Sequence, residues 1–187
     1  MTTLETIYAR RAVRDYTGEQ VSEATIRELI DAAIQAPSAI NSQPWAFVVI
    51  QDKALMDEIS NRAIELMRFQ NIPSDLRTMI EKPGWSIFYN ASNLIIICSK
   101  PEGSHPDWDC CLAAENLMLA ARSKGLGTCL IGFAWEALSM PDIKRRFDIP
   151  KGYHAVTPII LGHPTAFPET HGRKPAEMLS WKAPAKR

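Results

Sequence analysis

The run Leu94-Ile95-Ile96-Ile97-Cys98 limits the possible folds of this chain more than any other feature. A strand with one wet face alternates apolar and polar residues. An unbroken apolar strand is expected where a sheet is covered on both faces. The run is also far too short to span a bilayer, which takes about 20 apolar residues in a helix. Residues 94–99 therefore read as a strand held between helical layers.

The flanking segments supply those layers. Thr3 is read as the cap of a short helix ending near Arg10, and Asp15 to Gln20 as a turn around Gly18. Ser22 caps a second helix with Glu23 in its first turn. Its Ile26, Leu29, Ile30, Ala33 and Ile34 share one face, and Pro37 ends it. Trp45 to Ile50 reads as a strand. A third helix is expected from about Asp52 to Gln70, with Leu55, Ile59, Leu66 and Phe69 inward. Asn71 to Gly84, with Pro73 and Pro83, takes no assignment. Asp107 is read as the cap of a long helix ending at Lys124, with Gly125 as its stop. That helix is apolar nearly all round, so it should be central. A short strand follows within Gly125 to Phe133, then a helix from Met140 to Phe147 started by Ser139, then a strand from His154 to Leu161. Pro164, Pro168, Pro175 and Pro184 keep the tail from being one compact helix and suggest an extended arm. Alternation of this kind predicts one layered α+β domain over residues 1–187. Its centre should be a mixed sheet of four to five strands flanked by helices.

Composition narrows the function. Lys plus Arg and Asp plus Glu each number 21 among 187 residues, so charge alone argues for neither nucleic acid nor disorder. The charge is uneven, however: Arg173, Lys174, Lys182, Lys186 and Arg187 face only Glu177 in the last stretch. The first residues lack the basic start and apolar core of a signal peptide, and a cytoplasmic location is expected, away from membranes. Cys98, Cys110, Cys111 and Cys129 form no C-x-x-C pair, so neither a disulfide framework nor a zinc site is expected. The four histidines (His105, His154, His163, His171) lack ligand spacing. The G-x-G-x-x-G fingerprint is absent, and Gly125-Leu126-Gly127 follows a helix rather than a strand.

Three segments could carry chemistry. Arg10-Arg11-Ala12-Val13-Arg14 places three guanidinium groups within five residues, enough to hold a phosphate dianion by forked, charge-assisted hydrogen bonds. Its structural alternative is a basic helix end. Pro37-Ser38-Ala39-Ile40-Asn41-Ser42-Gln43-Pro44-Trp45 is a polar loop held between a helix and a strand, well placed to read the edge of a heterocycle, though Ser, Asn and Pro are also ordinary turn formers. Leu130-Ile131-Gly132 ends a glycine-flanked strand, and glycine lets a backbone N–H approach a flat ring closely. Trp85, Phe88, Tyr89, Met67 and Phe69 are weaker candidates for a pocket over such a ring.

These pieces, with Ile159-Ile-Leu-Gly-His-Pro and Gly172-Arg173-Lys174-Pro175, resemble in content and order the nitroreductase family of FMN-dependent oxidoreductases. The resemblance runs through nearly the whole chain. It implies FMN as cofactor and NADH or NADPH as electron donor, with ping-pong hydride transfer through flavin N5 to nitroaromatic, quinone or similar acceptors. Arg10 and Arg173, with Lys174 beside it, would hold the phosphate. Arg11 and Ala12 would flank the phosphate and ribityl chain, and Arg14 would face the flavin N1/O2 edge. Ile131 and Gly132, after Leu130, would supply an N5 donor. Pro37, Ser38, Ala39, Asn41 and Gln43 would come from the second subunit of a homodimer whose C-terminal arms are exchanged. Within the same superfamily the resemblance leaves open flavin cleavage, dehalogenation and heterocycle oxidation. A flavin-binding module without turnover is the alternative from another class.

Two departures stand out. Ala12 occupies a position where members often have Ser. Ile87, Phe88 and Tyr89 occupy a stretch where many carry Lys. The substrate-covering segment between Asn71 and Trp85 is expected to be reduced or different.

Overall fold

Strand β2 (Asn93–Ser99) is buried at all seven positions and lies inside a four-stranded sheet. The computed structural model describes residues 1–169 and 172–183. His171, Pro184, Lys186 and Arg187, which entered the reading of the histidines and the tail, lie outside the described residues. The other strands are β1 (Trp45–Ile50), β3 (Gly127–Leu130) and β4 (His154–Gly162), in the order β1-β2-β4-β3. Side chains on β2 alternate between two cores, as the period of two requires. Leu94, Ile96 and Cys98 face one, and Ile95 and Ile97 face the other. Each buried branched side chain contributes about 1.5–3 kcal/mol relative to exposure.

The first core lies against α3 (Lys53–Arg68), α4 (Ser74–Ile80), α6 (Trp135–Ser139) and α7 (Pro141–Arg146). The second lies against α2 (Glu23–Ala33) and α5 (Pro106–Ser123). Helix α5 touches α1 (Thr3–Ala9), α2 and all four strands, which makes it the hub expected from its composition. The face of α5 turned away from the core carries exposed Trp108, Cys111 and Leu112.

Every pairing between named strands is antiparallel. The expected mixed sheet is corrected to this extent: the one parallel link among the described residues is the isolated bridge Ala12↔Thr128. The reason is insertion. Strands β2 and β3, joined through α5, do run parallel, but β4 comes back between them and pairs antiparallel with both. Helix α3 also differs from expectation. Ile59 is buried and Leu55 and Leu66 pack half-buried against the first core as expected, but the fully buried face is Met56, Ile59, Ser60, Ala63, Ile64 and Met67, and Phe69 points to water. Thr2 rather than Thr3 caps α1, and His105 rather than Asp107 precedes α5. The unassigned 71–84 stretch contains α4, the expected Met140–Phe147 helix is α7, and a further short helix, α6, comes before it and meets it at Met140.

Three cysteines are locked in these cores. Burial pushes the Cys98 thiol up to about 11 and the Cys110 thiol up to about 12, from 9.0 in the free residue. Folding thus favours the protonated thiols. That contribution is complete below pH 9 and is lost as pH rises through 11 and 12. The thermal midpoint should fall over that interval, and Cys98→Ala or Cys110→Ala should flatten the fall. A slope identical in the cysteine variants would refute the assignment. In native protein Cys98, Cys110 and Cys129 should also resist alkylation that reaches them in denaturant.

Candidate cofactor cleft

The segment after α1 becomes an extra edge beside β3. The Val13 N–H donates to the Thr128 carbonyl at 3.0 Å, and the Tyr16 hydroxyl donates to the Val13 carbonyl at 2.9 Å. Val13 and Tyr16 are buried and act as pegs. Two glycines let them in. A Cβ on Gly127 would sit 2.9 Å from three atoms of Val13, and one on Gly162 would sit 2.9 Å from the Tyr16 ring. After β4 the chain returns along the same edge, where Thr165 donates its hydroxyl to Asp15 at 2.6 Å and its N–H to the Asp15 carbonyl.

Between these two passes lies an open cleft of about 610 Å³. Arg10, Arg11, Ala12 and Arg14 line one side, and Phe167, Glu169 and Arg173 line the other. The guanidinium groups from the two ends of the chain therefore share one space. Four arginines meet two carboxylates there, Asp15 and Glu169, so the balance favours an anion. Lys174 is exposed and does not line the cleft.

The arginines are held differently. Arg10 reaches Glu115 of α5 at 3.4 Å through its Nε. Arg11 donates Nη1 to the carbonyls of Tyr8 and Arg10, closing the C-terminus of α1. The helix-end alternative thus describes part of Arg11's work. Its Nε, however, is buried without a partner among the described residues, an orphaned donor of the kind an anionic ligand would satisfy. Arg122, at the end of α5, ties the two walls together. Its Nε points to the Ala9 carbonyl at 3.4 Å, and its guanidinium carbon lies 3.7 Å from the centre of the Phe167 ring. Arg122 falls in the helix end Ala120-Ala121-Arg122-Ser123-Lys124-Gly125-Leu126, which also resembles the family, but only its contacts give it a role.

Arg14 joins this cleft to a second pocket of about 320 Å³, lined also by Tyr89, Cys129, Leu130, Ile131, Gly132 and Phe133. Here one expectation is corrected. The Ile131 N–H is spent on the Pro158 carbonyl at 2.8 Å and cannot serve as a ring donor. The Gly132 N–H has no acceptor among the described residues, and the space where a Cβ would stand is open. Gly132 is the available donor. Of the suggested aromatics, Tyr89 lines this pocket, packed edge-on against Trp85. Met67 and Phe88 are core, and Phe69 is exposed.

The polar loop lies elsewhere. Asp109, buried in the first turns of α5, accepts the Ala39 N–H at 3.2 Å. The Ser38 hydroxyl accepts the Gln43 N–H, and the Gln43 amide donates to Asn41. Pro37, Asn41 and Gln43 are exposed. Asp109 and Arg122 stand roughly 20 Å apart along α5, at 1.5 Å per residue. The loop therefore packs at the N-terminal end of that helix, while the cleft side meets its middle and its C-terminal end, through Glu115 and Arg122. Six non-glycine residues among those described have positive φ, and five of them are Ile40, Asn41, Gln43, Tyr89 and Asn90. Such strain concentrates where geometry serves a ligand. Ile40 is the sharpest case, a β-branched residue at φ 51° that is 94% exposed. Its role was not legible in the sequence.

No cluster of three or more potential metal ligands occurs among the described residues, and none of their helices is long and apolar enough to cross a membrane. His154 pairs with Asp107 at 2.8 Å, His105 stacks on Trp108, and the His163 carbonyl accepts from Thr17.

The sequence profile of the Nitroreductase family matches residues 7–163. A protein of Archaeoglobus fulgidus that carries a provisional NADH dehydrogenase/NAD(P)H nitroreductase name is 32% identical over 167 residues, which is 86% of this chain and 84% of that protein. The crystal structure of a nitroreductase with bound FMN from Desulfitobacterium hafniense superposes with a TM-score of 0.86 at 27% identity, covering 97% of this chain and 100% of that one. A 5,6-dimethylbenzimidazole synthase of Rhodospirillum rubrum is 26% identical over 197 residues, 93% of this chain and 86% of that protein.

Proposed function

The chain belongs to the nitroreductase family of flavin-dependent oxidoreductases, and we propose that it holds FMN in the arginine cleft and uses NAD(P)H to reduce quinones, nitroaromatics or similar electron-poor rings. The observation that carries this reading is the convergence of Arg10, Arg11 and Arg173 on one cleft that continues, past Arg14, into the pocket at Gly132. The residues present fit the cofactor. A dianion would meet the orphaned Arg11 Nε and the Nη groups of Arg10 and Arg173, which have no partner among the described residues. A ring system would lie along Leu130 to Gly132 with Tyr89 and Phe133 at its side.

FMN, when bound, supplies reversible two-electron hydride chemistry. The chain's residues do the rest. Arg14, which lines both spaces, would place its positive charge at the polar edge of a bound ring and so favour the reduced form. Its guanidinium also lies 6.0 Å from the Tyr89 ring centre, within cation–π range, which steadies both side chains. The Gly132 N–H, without an acceptor among the described residues, would orient the ring's reacting edge. Over one turnover with a quinone, NAD(P)H and one solvent proton become NAD(P)⁺ and the hydroquinone.

A homodimer completes this site. The loop at Ser38 to Gln43 is absent from the lining of its own copy's cleft, and a second copy would bring its loop there. Two features support this. Leu4, Ile7 and Tyr8 of α1 join Trp108 and Leu112 of α5 among the exposed apolar side chains. Every described residue from 172 to 183 is exposed, including Met178, Leu179 and Trp181, as an arm made to lie on a partner would be. An exchanged arm would cover both.

Purified protein should be yellow, or become so with FMN, and should bleach on NADH or NADPH and recover on adding menadione or nitrofurazone. Steady-state lines at several acceptor concentrations should be parallel. A colourless protein that gains no flavin absorbance from FMN ends the proposal. Tight FMN binding with no bleaching by either nucleotide would leave a binding module instead.

A further inference from the structure

A smaller cavity of about 190 Å³ lies next to the ring pocket and shares Gly132 and Phe133 with it. Its remaining wall is largely apolar, from Leu66, Met67, Leu76 and Trp135. The arginine cleft does not reach it. Gln70 and Glu136 also line it and are hydrogen-bonded to each other. The Gln70 carbonyl in turn accepts from Arg77 of α4 at 3.1 Å, which fixes this polar edge to the helix. The cavity is thus assembled from the end of α3, from α4 and from the turn that carries Gly132. The third of these forms the ring site.

Size and polarity restrict what can enter. A dry apolar cavity of about 150 Å³ accepts benzene, so this one admits a phenyl ring or a short branched alkyl group. Among the described residues none that lines it is a cation, the Arg77 guanidinium being engaged by the Gln70 carbonyl, and the Glu136 carboxylate repels an anionic group. Because Gly132 and Phe133 line both spaces, the cavity adjoins a ring lying at Leu130 to Gly132.

We infer that this cavity is an acceptor-specificity subsite, which takes the uncharged apolar arm of a substrate whose reducible ring lies against Gly132. The preferred acceptor class is then an aryl- or alkyl-substituted quinone or nitroarene rather than a bare ring. The inference rests on the proposed reduction of electron-poor rings and adds the substrate class to it.

The test uses FMN-loaded enzyme with menadione, its benzyl-substituted derivative, and a derivative whose benzyl arm bears a carboxylate. Wild-type kcat/KM should favour the benzyl compound over menadione by roughly tenfold, the scale of one well-filled apolar subsite. Leu76→Trp, which fills the cavity, should raise KM for the benzyl compound by a similar factor and leave kcat and KM for menadione within about twofold. Glu136→Gln should improve the carboxylate compound and leave the benzyl compound unchanged. Equal wild-type use of menadione and the benzyl compound overturns the inference, as does Leu76→Trp raising both KM values together. If Leu76→Trp fails to retain flavin, the wild-type ratio and Glu136→Gln decide the matter alone. Failure to reduce menadione at all is a different result, since it removes the proposed function and the subsite with it.

Discussion

Arg173→Ala is expected to weaken FMN binding by roughly tenfold to a hundredfold, because a hydrogen bond to a charged group contributes about 1.5–3 kcal/mol. Arg173 is exposed and reaches the cleft from an extended segment, so its loss should leave the melting temperature of flavin-free protein nearly unchanged. Arg10→Ala should cost a similar amount of affinity and also leave Glu115 without its partner. That pair is long and its Glu115 side is open to solvent, so it contributes little to stability. Lys174→Ala is the matched control, since Lys174 stands next in the chain but does not line the cleft. If Arg173→Ala and Lys174→Ala bind FMN alike, the tail has no part in the phosphate site.

Gly127→Ala should harm both stability and cofactor binding. The added methyl would meet Val13 Cβ, Cγ1 and Cγ2 together, each at 2.9 Å. Val13 is 1% exposed and anchored by its N–H to Thr128, so it cannot swing aside into solvent. Overpacking of this kind costs about 1–3 kcal/mol, or a fall in melting temperature of roughly 2–12 °C for a chain of this size. The segment that shifts carries Arg10, Arg11 and Arg14, so FMN affinity should fall as well. Adding Val13→Ala should recover much of both losses. Two independent sites would instead add their costs, and simple additivity would show that the close approach of these strands has no part in setting the arginines.

Much of this was legible in the sequence because it depends on local pattern. The unbroken apolar run of β2 announced a sheet covered on both faces. Ser22 with its following periodicity marked α2, and the composition of α5 marked a hub. The three clustered arginines and the basic pair after Gly172 pointed to an anion before any contact was known. What stayed hidden depends on pairing across long separations. Residues 53–69 offer two overlapping apolar stripes that both pass through Ile59, one with Leu55 and Leu66, the other with Met56, Ala63 and Met67. Packing against the sheet buries the second fully and the first only in part. The return of β4 between β2 and β3 fixes an antiparallel sheet, and the order of helices and strands does not reveal it. The same return sets the Pro158 carbonyl against the Ile131 N–H and so passes the donor role to Gly132. Left-handed Ile40 and Tyr89 break local preference, and residues that do so are hard to read from a pattern that assumes it.

The account depends most on arginines from both ends of the chain closing on one phosphate. Titrating flavin-free protein with FMN and with riboflavin, which lacks only the phosphate, tests this most directly. FMN should bind at least a hundredfold more tightly than riboflavin, as two or more charge-assisted contacts require, and the gap should shrink in Arg10→Ala and Arg173→Ala with riboflavin affinity unchanged. Equal affinity for the two flavins in the wild-type protein would contradict the account.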